Sequence, residues 1–136
     1  MSQRPIPIVP NVYYHVYNRG MKREKIFSSP DNYTYMLRLI RKNLIRYGIS
    51  ITALCLMPNH YHLLLASTQD NGIPGFIKSV MGSYVQAYNK YHKRKGPLFE
   101  GPYFSIGIEK TEHYLQVSRY IHLNPVRAGL VNAPES

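Results

Sequence analysis

The chain has 136 residues, enough for one ordinary domain with a real core and too few for a second of any size. Seventeen Lys and Arg against seven Asp and Glu leave a net charge of +10, which implies a polyanionic partner if gathered on one face, with nucleic acid ahead of a membrane surface. No stretch approaches the ~20 apolar residues of a spanning helix, Met1–Pro10 has no signal-like apolar run, and a lone cysteine excludes an internal disulfide or a Cys-based zinc site, so a soluble, cytoplasmic protein without a membrane partner is expected.

Residues 1–10, rich in proline, read as a flexible N-terminal segment, and residues 11–136 as a single domain. Val12–Asn18, dominated by Val and Tyr, predicts a first strand, closed by Arg19-Gly20 and a basic loop through Lys25. Ser29-Pro30-Asp31 supplies a cap, a proline at the first helical position and an acid in the first turn. Met36, Leu37, Ile40, Leu44 and Tyr47 then recur at helical spacing up to a stop at Gly48. The opposite helix face carries Arg38, Arg41, Lys42 and Arg46 and reads as a solvated basic face. Ile51–Met57 is short and nearly all apolar, as expected of a strand buried on both faces with Cys55 packed inside it. Pro58-Asn59 turns the chain and His60–Ala66 returns as its antiparallel partner.

After a polar loop, Ile77, Val80, Met81, Tyr84, Tyr88 and Tyr91 share one helical stripe that ends in the basic cluster Lys90, Lys93, Arg94, Lys95 and is broken by Gly96-Pro97. Tyr103–Ile108 predicts a fourth strand. Thr111-Glu112 can cap a last helix that reaches Asn124, where Pro125 disfavours continuation. The order strand, helix, strand, strand, helix, strand, helix predicts an α+β fold, an antiparallel sheet of about four strands with helices on one face, of ferredoxin-like or RRM-like kind.

Two constellations bear on chemistry. His60 and His62 are two apart, so alternation along a strand aims both imidazoles at one face while Tyr61 and Leu63 point to the other. Such a pair can share a divalent ion, or be two satisfied or exposed strand histidines. Gln116, Tyr120 and Asn124 fall along one helix face, with neighbouring Cβ atoms roughly 5–6 Å apart. If that face meets the histidines, Asn124 can add an oxygen ligand while Tyr120 reaches a phosphate on the same ion. Two nitrogens, one oxygen and open positions suit Mg²⁺ or Mn²⁺. The competing reading leaves Tyr120 as an amphipathic-helix residue. Thirteen tyrosines could stack unpaired bases, and Arg19, Lys22, Arg23, Lys93, Arg94 and Lys95 are candidates for phosphate contacts.

Three segments, His15-Val16-Tyr17-Asn18-Arg19-Gly20, Met57-Pro58-Asn59-His60-Tyr61-His62-Leu63-Leu64 and Arg119 through Val131, resemble the single-tyrosine transposases with an HUH motif (histidine, bulky apolar residue, histidine), and more closely their REP-associated branch. The likeness covers most of Val12–Val131, and the motifs in this order are far more specific than either alone. It implies an HUH-type catalytic domain in which His60 and His62 bind the metal, Tyr120 is the nucleophile in preference to Tyr114, and Asn124 approaches the metal from the helix. It further implies that a monomer or homodimer cleaves single-stranded DNA of hairpin or palindromic structure through a 5′-phosphotyrosine and rejoins the ends. Two departures stand out. Tyr61 is larger and more polar than an aliphatic middle residue, and Ser136 follows soon after the last motif where relatives often continue, so elements of target choice are expected to be missing. Two other readings remain. One is a non-catalytic nucleic-acid-binding domain, although no RNP-like run is present; the other is a metal-dependent nuclease that uses water and leaves Tyr120 structural. His15 either lies near the site or packs within the first strand.

Overall fold

The computed structural model describes residues 7–108. In chain order these form β1 (Tyr14–Arg19), a single 3-10 turn (Met21–Arg23), α1 (Pro30–Asn43), β2 (Ile49–Met57), β3 (His60–Ser67), α2 (Gly72–His92) and β4 (Phe104–Gly107). The strands lie in the order β2-β3-β1-β4, and every neighbouring pair is antiparallel. This is the expected α+β architecture. The predicted last helix lies outside the described residues.

Alternation decides which side of the sheet is core. Val16 on β1 and Tyr61, Leu63 and Leu65 on β3 are fully buried in one cluster with Met36 of α1 and Phe76, Val80 and Tyr84 of α2, so both helices cover the same face. β2 occupies an edge, yet it is apolar on both faces as its sequence suggests. Leu56 joins the main core, whereas Ala53 and Cys55 pack with Leu64 and Ile108 in a smaller cluster on the other side. A bulge between Ile51 and Ala53 brings these two sets into register with β3.

The helices depart from the predicted stripes in three places. In α1 the buried residues are Met36, Leu39, Ile40 and Asn43, whereas Leu37, Leu44 and Tyr47 pack at the margin. Asn43 belongs in the stripe because its amide is satisfied: Nδ2 donates to the Leu39 carbonyl at 2.8 Å, and Oδ1 accepts from Ser79 Oγ at 3.0 Å, which ties α1 to α2. Ser29 precedes the helix in an extended conformation without a side-chain cap bond; Asn32 Oδ1 instead accepts the Ser28 N–H at 2.7 Å. Tyr91 is 79% exposed, whereas Tyr84 and Tyr88 of the same stripe are buried and reach the 25–28 loop, with the Tyr88 hydroxyl 2.6 Å from Ser28 Oγ and the Tyr84 hydroxyl donating to the Ile26 carbonyl. Gly48 does close the first helical region, at φ +62°, a conformation glycine adopts without a Cβ penalty.

Leu63→Ala removes a fully buried side chain from a central strand and should lower unfolding free energy by about 3 kcal/mol, whereas Arg41→Ala on the exposed face of α1 should change it by less than about 0.5 kcal/mol in urea titrations.

Candidate functional site

On the sheet face opposite α1 and α2, the register sets side chains in rows. Arg19 of β1 stands across from His60 of β3, Tyr17 across from His62, and His15 across from Leu64; on the other flank of β1, Phe104 of β4 faces Tyr17. His15 Nε2 lies 2.9 Å from His62 Nδ1, with the two rings stacked at 5.1 Å. His60 Nδ1 lies 2.7 Å from Asn59 Oδ1. An amide oxygen only accepts, so His60 carries its proton on Nδ1 and presents the lone pair of Nε2. The rings of His60 and His62 meet edge to face at 5.1 Å. A cavity of about 540 Å³ opens over these residues, with Tyr17, Arg19, Arg23, His60, His62 and Phe104 in its wall.

Both histidines resist protonation. His62 is pushed down to about 4, first by burial and then by the adjoining His15 and His60 imidazoles, and burial lowers His60 as well. Both are therefore neutral near pH 7, the form in which an imidazole binds a metal.

A basic loop is fastened beside the pair. Gly20 N–H donates to the Asn59 carbonyl at 2.9 Å, Ile26 N–H to the Pro58 carbonyl at 2.7 Å, and Met21 N–H to the Leu98 carbonyl at 2.9 Å. Lys22 and Arg23 both sit in the left-handed region, at φ 54° and 61°, a conformation uncommon for side-chain-bearing residues and here held by the bonds that flank it. A Cβ on Gly20 would collide with the Glu24 carbonyl oxygen, which explains a glycine at this position.

The sequence-predicted cations separate into groups. Arg19 and Arg23 reach the cavity, and Arg19 Nε is paired with Glu100 Oε1 at 2.5 Å. Lys22 is exposed on the same loop but does not line the cavity. Lys93 ends α2, and Arg94 folds back so that Nη1 donates to Asn89 Oδ1 at 2.5 Å and Nη2 to the Pro97 carbonyl at 3.3 Å. Arg94 thus clamps the helix end, and neither it nor Lys93 nor the exposed Lys95 lines the cavity. Tyr114, Gln116, Tyr120 and Asn124 lie outside the described residues. Among the described residues no group of three or more His, Cys, Asp or Glu is placed to hold an ion.

The structure adds His15, Tyr17, Asn59 and Phe104 to the site. A signal for the first two existed: His15, Tyr17 and Arg19 alternate on β1 as His60 and His62 do on β3. Only the pairing register says that these two faces coincide.

The chain belongs to the IS200-like transposase family, whose sequence model matches residues 8–124. It is 27% identical over 88 residues to the ISDra2 transposase TnpA of Deinococcus radiodurans; the match covers 61% of this chain and 63% of that protein, less than two thirds of its length. Among solved structures it is similar to a REP-associated tyrosine transposase bound to a REP hairpin, with a TM-score of 0.74 at 18% identity, covering 96% of this chain and 76% of the other. It is also similar to a protein of Deinococcus radiodurans R1 described as a candidate transposase, in a crystal structure, with a TM-score of 0.58 at 21% identity, covering 91% of this chain and 97% of the other. At these identities the two structures establish the shared fold. Among the described residues no helix is long and apolar enough to cross a membrane.

The depressed affinity of His62 for a proton has a measurable sign. Between the ordinary value of 6.5 and about 4, the unfolded chain takes up a proton that the folded site refuses, so this group makes stability fall as pH drops through that window. In NMR titrations the His62 ring protons should shift with a midpoint near 4; a midpoint near 6.5 would show that the ring is not desolvated.

Proposed function

We propose that the protein is a metal-dependent transposase that nicks single-stranded DNA with Tyr120 and transfers the resulting end. The observation that carries this reading is the pair of neutral imidazoles on one sheet face, each with Nδ1 already engaged, by Asn59 for His60 and by His15 for His62. Both would ligate through Nε2, and Asn124, which offers an amide oxygen, would join them from the helix that the sequence predicts there. This donor set fits Mg²⁺ or Mn²⁺ with positions left for phosphate oxygens. When bound, such an ion polarises the scissile phosphate and stabilises the charge of its transition state by several kcal/mol.

The remaining work falls to the chain itself. At pH 7 a tyrosine phenol, which titrates near 10, costs about 4 kcal/mol to ionise, so Tyr120 requires a cationic surrounding to become a nucleophile. Its oxygen attacks phosphorus and the bond from phosphorus to the 3′-oxygen breaks. The phenol proton is released and a proton is taken up by the departing oxygen. The products are a 5′-phosphotyrosine and a free 3′-hydroxyl. One phosphodiester has been exchanged for another, so attack by a different 3′-hydroxyl rejoins DNA without a high-energy cofactor. Arg23, exposed on the wall of the cavity, supplies charge for the DNA backbone. The structural relative described with a REP hairpin supports DNA of hairpin form as the substrate of this chain.

A labelled, hairpin-bearing single-stranded oligonucleotide incubated with Mn²⁺ should become covalently attached to the protein and stay attached on a denaturing gel. Tyr120→Phe should abolish the adduct. Multiple-turnover cleavage with no protein-bound DNA would overturn the nucleophile and favour water. Because His15 holds His62 from behind, His15→Ala should weaken Mn²⁺ binding, read by electron paramagnetic resonance, by about 10- to 100-fold. Unchanged binding would remove the outer-shell role.

A further inference from the structure

One row of side chains crosses the sheet at the level of His62. Cys55 on β2, His62 on β3, Tyr17 on β1 and Phe104 on β4 are successive cross-strand partners. Three of them form a ring stack: His62 and Tyr17 have centroids 5.7 Å apart and planes 27° apart, and Tyr17 and Phe104 are 5.2 Å and 19° apart. At its β2 end this row abuts the small apolar cluster around Cys55. Its β4 end is left open by the described residues. Phe104 stands on a four-residue edge strand and is 51% exposed, beside Ile106 at 44%. Burying a phenylalanine ring stabilises a fold, and here much of that gain is forgone in the wall of the cavity that also holds Arg23, His60 and His62.

We infer that Phe104, backed by Tyr17, is the stacking platform for an unpaired nucleobase that neighbours the phosphate held at His60 and His62. The inference rests on the proposed single-stranded DNA substrate and specifies how the site grips it. Every base has a flat π-face, and the outer ring of a parallel stack is the surface such a face extends most readily. Tyr17 fixes the Phe104 ring before the DNA arrives, which reduces the ordering cost of binding. Phe104 is two strands away from His62, roughly 10 Å at ordinary strand spacing, so the stacked base belongs to an adjoining nucleotide and not to the scissile phosphate. The same cavity offers Arg23 for the backbone of that nucleotide, whereas the charge of Arg19 is offset by Glu100.

The test separates base from backbone. Binding of a fluorescent 12-nucleotide oligothymidylate is compared with binding of an abasic 12-mer of the same charge, using the full chain and no metal. The unaltered protein should prefer the thymidylate by about tenfold. Phe104→Ala should erase that preference while keeping the same salt dependence, since phosphate contacts are untouched. Phe104→Trp should restore it. Phe104→Ala with the preference intact, or Phe104→Trp without recovery, would overturn the platform. Adduct formation by Tyr120 is scored in parallel with Mn²⁺ on the unaltered protein. A preference for bases without any adduct would sink the strand-transfer reading and leave the platform standing, and an adduct without the preference would do the reverse.

Discussion

If β1 slipped by one residue against β3, His15, Tyr17 and Arg19 would turn toward the helices, and Tyr14, Val16 and Asn18 would turn toward the histidine pair. The antiparallel register between these two central strands is therefore the constraint from which both the core and the site follow. It is enforced from the buried side, where Val16 and Leu63, cross-strand partners with no exposed surface, are gripped by α1 and α2. Hydrophobic burial on one face thereby positions polar chemistry on the other. The turn at Pro58-Asn59 adds a second link, since its carbonyls accept the N–H groups of Gly20, Ile26 and Phe27, so the basic loop takes its place from the same hairpin that carries His60.

The middle residue of the histidine motif shows how separate the two faces are. Tyr61 has no exposed surface, meets Phe99 edge to face at 5.7 Å, and buries a hydroxyl that has no hydrogen-bond partner among the described residues. Burial and the neighbouring Tyr103 raise its phenol well above the ordinary value, so it stays protonated at any physiological pH. Its large ring packs on the helix side of the sheet within the main core. The more polar middle residue thus serves the core, while His60 and His62, one residue away on either side, stand on the opposite face. It leaves the chemistry of His60 and His62 untouched.

Periodicity made the strands, both described helices and the common face of His60 and His62 legible in the sequence, because each depends only on neighbours along the chain. What the sequence left open depends on partners far apart. Asn43 does not stand out in the sequence, because a buried amide is recognisable only once Ser79 is known to meet it. Tyr91 fits the helical stripe of α2 and is nevertheless exposed, because what buries Tyr84 and Tyr88 is the distant 25–28 loop, which periodicity along α2 does not report. His15 was balanced between packing and function, and the pairing of β1 with β3 resolves its place at 2.9 Å from His62. Phe104 carried no motif at all; it gains meaning only as the outermost ring of a row built from three strands.

The bulge in β2 has a bearing on self-association. A nine-residue, largely apolar edge strand is a natural template on which a second chain could add and continue the sheet. The displaced residue is Thr52, and a bulge of this kind breaks the regular ladder and adds twist as a rule, which works against a second strand pairing along the full length of β2. At the opposite edge β4 offers only four residues. The irregularity that lets one strand serve two apolar clusters also guards the molecule against open-ended sheet growth, a hazard for any chain that must expose one side of its sheet to a ligand.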